Sequence, residues 1–497
     1  MHICKICSTF AAALFARIPI LLQPRWIAKY AISVYILALA GVSLMYFSHS
    51  LPWYYMLSGM MSVLIFFLYG QRLTTDLSVL KVRKNENFEK RLFLLAFIPR
   101  LLVVLLLYWI FQSTYGNPFG FEDADAKTYD DLASFVADLI HKKDFHFFSR
   151  VAEWSGNDDI SDMGYGIYLG LVYWMTGKSI LAARLLKCLW STLTVVLVYR
   201  LARRDFGEQI ARLAAIFCAL WPNFWYYCSA HLKEVEMVFL TVLFVEQADQ
   251  MLRSKKFTAL KIIPVLLIAA VLFTFRTPLG LVALIALLFS LVMSSSKIVS
   301  WGKRIIIGVL AVSLIGVAAG ERLEQRFSSL VEQVQRGDQK SSLRWRSQRE
   351  HGNEFAKYAG SAVFAPMIFT LPFPTMANPS NGQEVQLLNN GGNFIKNILS
   401  CFTILALVLS LLTGRWRDHL LPLSFMLGYL VVLTLSNFAH SERFHQPVMP
   451  FEFMFMAYGV SIATTKKKYK RWFTYWCLLM FLAAILWNVF KMKGRGL

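Results

Sequence analysis

The chain has 497 residues, of which 57% are hydrophobic and only 16% charged, with a mean hydropathy of +0.49. Soluble proteins average roughly 45–50% apolar and about 25% charged, so this is not the composition of a water-soluble enzyme. The 51 basic and 30 acidic residues leave a net charge of +21, which here reflects basic cytoplasmic loops rather than a nucleic-acid partner.

The N-terminus carries Lys5, a short apolar stretch at 10–16 and Arg17. That pattern only faintly resembles a signal peptide, and a hydrophobic hairpin follows almost at once, so an uncleaved cytoplasmic tail is expected. Seven cysteines without regular spacing give no disulfide framework, and Cys4-x-x-Cys7 has no second pair to complete a zinc site.

A spanning helix needs about 20 mostly apolar residues. Stretches of that kind lie near 27–47, 51–69, 92–112, 179–199, 208–228, 231–251, 259–275, 278–295, 304–320, 395–413, 420–437, 447–464 and 472–490. The expected fold is therefore an all-α polytopic membrane protein with about 13 transmembrane helices (11–14 by the same count), two long outward-facing loops and interfacial helices. It divides into an N-terminal tail, hairpin and basic loop (1–91), a transmembrane core (92–320), a large outer loop (321–394) and C-terminal helices (395–497). Lys and Arg gather in alternate connections: Arg72 to Arg91, Arg200 to Arg204, Arg253 to Lys256, Lys297 to Arg304, Arg415 and Arg417, and 466–471. The positive-inside rule puts that side in the cytoplasm. Lys491, Lys493 and Arg495 break the pattern, because an odd number of spans leaves them outside.

Two long connections face outward. The first, 113–163, holds eleven acids against four bases. Within it 125–141 places Tyr129, Leu132, Ala133, Val136 and Ile140 at helical spacing, which predicts an amphipathic helix at the membrane surface. The stretch 165–174, with Gly166 and Gly170, is too short to span and reads as an interfacial helix. The second connection, about 321–394, carries Arg336, Arg344, Arg346 and Arg349, then the segment 372–379. Connections this long are functional or disordered as a rule.

Chemistry has a limited set of carriers. Asp123 and Asp125 sit where the chain leaves the third span, and a carboxylate at that boundary is partly desolvated, which suits it to general-base work. The pair is also able to hold a divalent cation such as Mg or Mn through oxygen ligands, although no motif requires one. Their plainer reading is a solvated acidic loop. Lys233 and Glu234 open the sixth span beneath the aromatic run 221–227, and their plainer reading is interfacial charge. Arg276 marks the outer end of the seventh span, Arg443 and His445 the outer start of the twelfth, and Arg100 lies inside the third. Charges in a membrane face the bundle interior and default to function, whereas those at span ends also snorkel. Asp125, Glu234, Arg276 and Arg443 all map to the outer face at similar depth. Acid beside base near the acyl boundary suits a lipid-phosphate substrate. Phosphate-binding loops of soluble nucleotide enzymes are absent from the sequence.

Several stretches, in order, resemble the C-type glycosyltransferases, in particular bacterial relatives of protein mannosyltransferases and of lipid A aminoarabinose transferases. Asp125-Ala-Lys-Thr-Tyr129-Asp-Asp-Leu-Ala133 is similar to the family's first-loop DAxxYxxLA. The 165–177 segment followed by Ala183-Arg184-Leu185-Leu186 is similar to its interfacial helix and next span. Arg200-Leu-Ala-Arg-Arg204-Asp-Phe-Gly207 with Ala219-Leu-Trp-Pro222, Lys233-Glu234, and Glu442-Arg443-Phe444-His445 through Pro450 continue the series. The family's Tyr-Pro-Pro type of interfacial start is replaced by Met163-Gly164-Tyr165.

The resemblance implies a membrane enzyme that takes a polyprenyl-phosphate-linked sugar and transfers it, with inversion, to a lipid, glycan or protein acceptor on the outer face of a bacterial inner membrane. It makes Asp125 the general base with Asp123 as its understudy, and Lys233, Arg276 and Arg443 the phosphate binders; Glu234, Tyr129, His445 and Arg100 are further candidates around the substrate. Partners are then membrane lipids and the two substrates, with no nucleic acid. Two alternatives differ in kind. A polysaccharide polymerase or O-antigen ligase matches the arginines of 336–349, but not the acidic first loop. A transporter or lipid-linked glycan flippase places charges near the midplane and shows two similar halves, neither of which is seen here.

Overall fold

The computed structural model of the chain describes residues 24–75, 85–144, 146–154, 163–254, 258–295, 299, 367–378, 384–436 and 438–494. The expected span at 304–320, Arg336 to Arg349, Cys4 and Cys7 lie outside the described residues. So do the side chains of Glu122 and Asp123.

The described chain is nearly all helical and forms no sheet. In order the helices are α1 (Arg25–Met45), α2 (Trp53–Thr74), α3 (Asn85–Tyr115), α4 (Asp123–His141), α5 (Phe147–Trp154), α6 (Met163–Thr176), α7 (Ile180–Phe206), α8 (Glu208–Leu220), α9 (Pro222–Ser229), α10 (Glu234–Arg253), α11 (Ala259–Phe275), α12 (Thr277–Met293), α13 (Asn390–Leu412), α14 (Leu420–Leu435), α15 (Met449–Ala463) and α16 (Lys467–Lys493). Six of them, α1, α2, the 88–115 part of α3, α7, α13 and α16, are long and apolar enough to cross a membrane. Helices α11, α12 and α14 are equally apolar but only 16 or 17 residues long.

The expected count of about 13 spans is therefore met only in part. The stretch 208–228 is not one helix: Pro222 has no N–H to continue α8, so the chain turns at Trp221 and restarts as α9. Helix α10 carries Glu234, Glu236, Glu246 and Asp249, all buried, and is held by packing instead of by lipid. Exposed Leu44, Trp109, Leu267, Val292, Leu412 and Leu486 on these apolar helices form the outer surface that a bilayer would cover.

One end of the bundle is closed by a charged clamp. Arg204 donates to Glu246 at 3.0 Å and Asp249 at 2.8 Å, while Arg253 donates to Asp205 at 2.5 Å and Asp249 at 2.8 Å. Phe206 stacks on His419, centroids 4.2 Å apart, and Gly207, at φ +87°, lets the chain leave α7. The Arg-Arg-Asp-Phe-Gly motif thus ties α7 to α10 and to the α13–α14 connection. The opposite end gathers the chain around 46–52, 115–130, 230–234, 276 and 438–448. Lys491 reaches this end too, donating to Thr375 Oγ1 at 2.7 Å and Gln386 Oε1 at 2.6 Å. Asn378 N–H bonds the His49 carbonyl at 2.8 Å beside it. The basic C-terminal turn therefore does lie at the end of the acidic loop, against the charge pattern.

Helix α4 packs its apolar face on α6, as the spacing predicts. Gly166 and Gly170 make this possible: a methyl group at either would overlap Leu132 or Val136 of α4. Close approach of α6 fixes the helix that carries Asp125 and Tyr129. Gly170→Ala is expected to destabilise the protein by about 1–3 kcal/mol through overpacking, read as a lower Tm in detergent micelles. A wild-type Tm would show that α4 is not seated by this contact.

Candidate active site

Three segments far apart in sequence meet at the end described last. Helix α4 begins just after the turn Gly120–Glu122 and presents Asp125 near its N-terminus. The chain between α9 and α10 presents Lys233 at the last position before the helix and Glu234 at its first turn. The short helical turn Glu442–His445 presents Arg443.

Arg443 joins them. Its Nη1 donates to Asp125 Oδ2 at 2.5 Å and its Nε donates to Glu234 Oε1. The two carboxylates differ sharply in exposure: the Asp125 side chain is 53% exposed and that of Glu234 only 1%. Asp125 is thus open to an incoming molecule while Glu234 acts as a buried counter-ion. Burial alone would lower the affinity of Arg443 for its proton, but Glu234 and Asp125 overturn this and hold the guanidinium firmly charged.

Two more cations flank the triad. Lys233 Nζ donates to the Phe275 carbonyl at 3.2 Å and lies 5.8 Å from the centre of the Tyr129 ring. Burial, and then the charge of Arg276, push its ammonium down to about 7. Arg276 sits between α11 and α12 with its guanidinium 4.1 Å from the centre of the Phe444 ring and 5.7 Å from that of Phe438. Tyr129 packs edge-on against Tyr165 of α6 at 4.9 Å. Its hydroxyl is held well above its ordinary range by burial and by Glu234.

Asp125, Tyr129, Lys233, Glu234, Arg276 and Arg443, all singled out in the sequence, therefore come together. Two others do not. Arg100 is buried inside the bundle, donating to Ser191 Oγ at 2.8 Å and to the carbonyls of Ala96, Ala219 and Cys218. It satisfies the backbone where α8 ends at Trp221. His445 turns inward: its Nδ1 accepts from Lys396 at 2.8 Å and its Nε2 donates to the Ala439 carbonyl at 2.8 Å. With Nδ1 accepting and Nε2 donating, this ring is neutral. Asp123 opens α4, and its side chain lies outside the described residues. Among the described residues, no three His, Cys, Asp or Glu side chains converge to hold a metal.

Sequence reasoning missed the groups that hold the triad in place. Glu442 is buried and accepts from Asn389 at 2.6 Å, Asn393 at 2.7 Å and Tyr227 at 3.3 Å. It anchors the turn bearing Arg443 to α9 and to the start of α13. The signal available was the polar run Asn389-Asn390-Gly391-Gly392-Asn393 at the mouth of an otherwise apolar helix. A second network, also missed, lies on the other side of α4, where Tyr173 donates to Asp130 and its hydroxyl is 3.2 Å from His231 Nε2. Burial raises Asp130, and burial with Lys187 and Arg184 lowers His231.

Residues 165–319 match the family described as Dolichyl-phosphate-mannose-protein mannosyltransferase. The match supports a C-type glycosyltransferase family and a membrane glycosyltransferase for this chain. It contains Lys233, Glu234 and Arg276 but neither Asp125 nor Arg443, so the ion triad links the matched segment to chain on both sides of it. No curated protein and no solved structure matches the chain.

Removing one member of a buried pair strands the other, which costs about 3–5 kcal/mol. Arg443→Met is expected to lower stability on that scale, and Glu234→Gln in the same chain to recover a large part of it. Thermal unfolding of both single variants and the double variant measures the coupling. Simple additivity would mean that the pair is not formed.

Proposed function

We propose that this chain is a membrane glycosyltransferase of the C type that takes a polyprenyl-phosphate-linked sugar and passes it, with inversion, to a lipid, glycan or protein acceptor. The site would face the outer side of a bacterial inner membrane, a reading supported by the described basic residues Arg204, Arg253, Arg415 and Arg417 at the opposite end. The observation that carries the reading is Arg443 held between exposed Asp125 and buried Glu234, with Lys233 and Arg276 beside it. A carboxylate open to solvent next to three cations near the apolar surface suits a hydroxyl nucleophile and a lipid-phosphate leaving group.

The chemistry follows from those positions. The donor phosphate docks against Arg443, Lys233 and Arg276, replacing Asp125 as one partner of Arg443. Asp125, released, accepts the proton of the acceptor hydroxyl as its oxygen bonds to the anomeric carbon. The bond from that carbon to the phosphate oxygen breaks, and the polyprenyl phosphate leaves with its charge matched by the same cations. Glu234 remains the buried counter-ion and keeps Arg443 oriented throughout. Tyr129 supports Lys233 through its ring face.

The test is release of free polyprenyl phosphate from a panel of polyprenyl-phosphate sugars by protein in lipid nanodiscs, with nucleotide sugars as controls. Asp125→Asn is expected to abolish release while leaving folding and membrane insertion unchanged; wild-type-like release by that variant would remove Asp125 from the mechanism. Failure of every monosaccharide donor with the wild-type protein would favour a polymerase or ligase that uses a lipid-diphosphate glycan.

A pH dependence also follows. Below about pH 7 Lys233 carries its charge and above it the charge is lost, so kcat/KM for the donor falls as pH rises through that point. Lys233→Arg, charged throughout, is expected to remove this alkaline limb. A limb unchanged in the variant would exclude Lys233 as its source.

A further inference from the structure

The segment from His231 to Glu234, between α9 and α10, is held at each of its four residues. Glu234 bonds Arg443, Lys233 donates to the Phe275 carbonyl, and the Leu232 carbonyl accepts from Lys187 of α7, whose Nζ also donates to Glu236 at 3.0 Å. The fourth residue, His231, is fully buried, and its Nε2 lies 3.2 Å from the Tyr173 hydroxyl of α6. That hydroxyl in turn donates to Asp130 of α4. Tyr173 has one hydroxyl hydrogen and gives it to Asp130, so the His231 bond is made by Nε2–H donating to the Tyr173 oxygen. Burial, Lys187 and Arg184 keep this imidazole neutral. It therefore acts as an ordinary N–H donor and not as an ionic partner of Asp130, whose carboxylate is 3.7 Å away. The His231 and Tyr173 rings lie nearly parallel, with centroids 6.3 Å apart.

Helix α4 is thus joined in more than one way to the segment that bears Lys233 and Glu234. Arg443 bridges Asp125 to Glu234, the Tyr129 ring faces Lys233, and the hydrogen-bonded chain runs from His231 through Tyr173 to Asp130. These links differ in permanence. In the proposed chemistry the donor phosphate replaces Asp125 on Arg443, so the ion bridge opens just when Asp125 has to stay close to the anomeric carbon. The His231–Tyr173–Asp130 chain contains none of the phosphate-binding cations, and phosphate binding leaves it intact. Asp130 follows Asp125 by five residues, about 7.5 Å along the helix, so holding one limits the movement of the other.

We propose that Tyr173 is a positioning residue for Asp125: its bonds to Asp130 and His231 tether α4 to the cation-bearing segment while the donor occupies Arg443. The inference rests on the ion triad being the site of transfer.

Tyr173→Phe removes one oxygen and keeps the ring, and the 3.7 Å between His231 and Asp130 is too long for a direct bond to take its place. In polyprenyl-phosphate release this variant is expected to lower kcat about tenfold with the donor KM unchanged, because a misplaced base costs rate without altering the phosphate contacts. Asp130→Asn, whose amide oxygen still accepts from Tyr173, is expected to keep most of the wild-type kcat. An Asp130→Asn variant as inactive as Asp125→Asn overturns the proposal, because the Asp130 carboxylate would then be a reacting group itself. A wild-type kcat in Tyr173→Phe, or a loss carried by KM alone, overturns it as well. Hydrogen exchange tests the tether apart from the reaction. In donor-free protein in nanodiscs, Asp125→Ala opens the ion bridge and Tyr173→Phe the hydrogen-bonded chain. Each single variant is expected to keep amide exchange over 123–131 within about twofold of wild type, and the double variant to exchange about tenfold faster or more. A double variant no faster than the product of the two single effects overturns the tether. If the wild-type protein releases no polyprenyl phosphate, the functional reading fails, while the exchange rates still decide whether the two links act in parallel.

Discussion

A single guanidinium shared by two carboxylates organises the outer end of this bundle. Glu234 is buried at the first turn of α10, where an unpaired charge would be very costly. Arg443, 209 residues further along, neutralises it, and in doing so is drawn to within reach of Asp125, 318 residues before it. Much of the local architecture serves this arrangement. The glycines of α6 let α4 approach, and the Asn389–Asn393 pair and Tyr227 hold Glu442, and with it the turn that bears Arg443. The rings of Phe438 and Phe444 face the Arg276 guanidinium at the α11–α12 junction.

Exposure separates the roles of the two acids. By position alone Asp125 and Glu234 look alike, each a carboxylate at the outer edge of an apolar stretch, and only the family resemblance made Asp125 the base. In the folded chain only one is open, so only one can meet an acceptor hydroxyl. The other is buried, and Arg443 bonds it from the 442–445 turn. An enzyme that must release its base when the donor phosphate arrives gains from a cation that always has a second partner, because Arg443 then never stands uncompensated.

Much of the fold was legible because membrane helices advertise themselves by length and apolarity. The expected stretches at 27–47, 259–275 and 472–490 correspond closely to α1, α11 and α16. The α4 helix was legible from its period, and Asp125, Glu234, Arg276 and Arg443 from charge at a common depth; Lys233 was flagged beside Glu234, and Tyr129 came with the family resemblance. What was not legible depends on partners distant in sequence. Nothing near Arg100 signals that its hydrogen bonds go to Ser191 and to the carbonyls at the end of α8. His445 sits two residues from Arg443 and looks equivalent, yet the turn sends it inward to Lys396. The break at Trp221-Pro222 was readable from proline chemistry, but the aromatic run around it masked the boundary by keeping the stretch apolar. Arg204, Asp205 and Phe206 matched a motif without revealing its purpose, which is to clamp α7 against α10 at the end opposite the site.

The most direct measurement of the central claim is a structure of the protein in nanodiscs with a polyprenyl phosphate bound. The account predicts phosphate oxygens within hydrogen-bond distance of Arg443 and Lys233, with Arg443 still on Glu234 and Asp125 released from it. A phosphate bound away from Arg443, or an Asp125–Arg443 pair unchanged by its presence, would contradict the account.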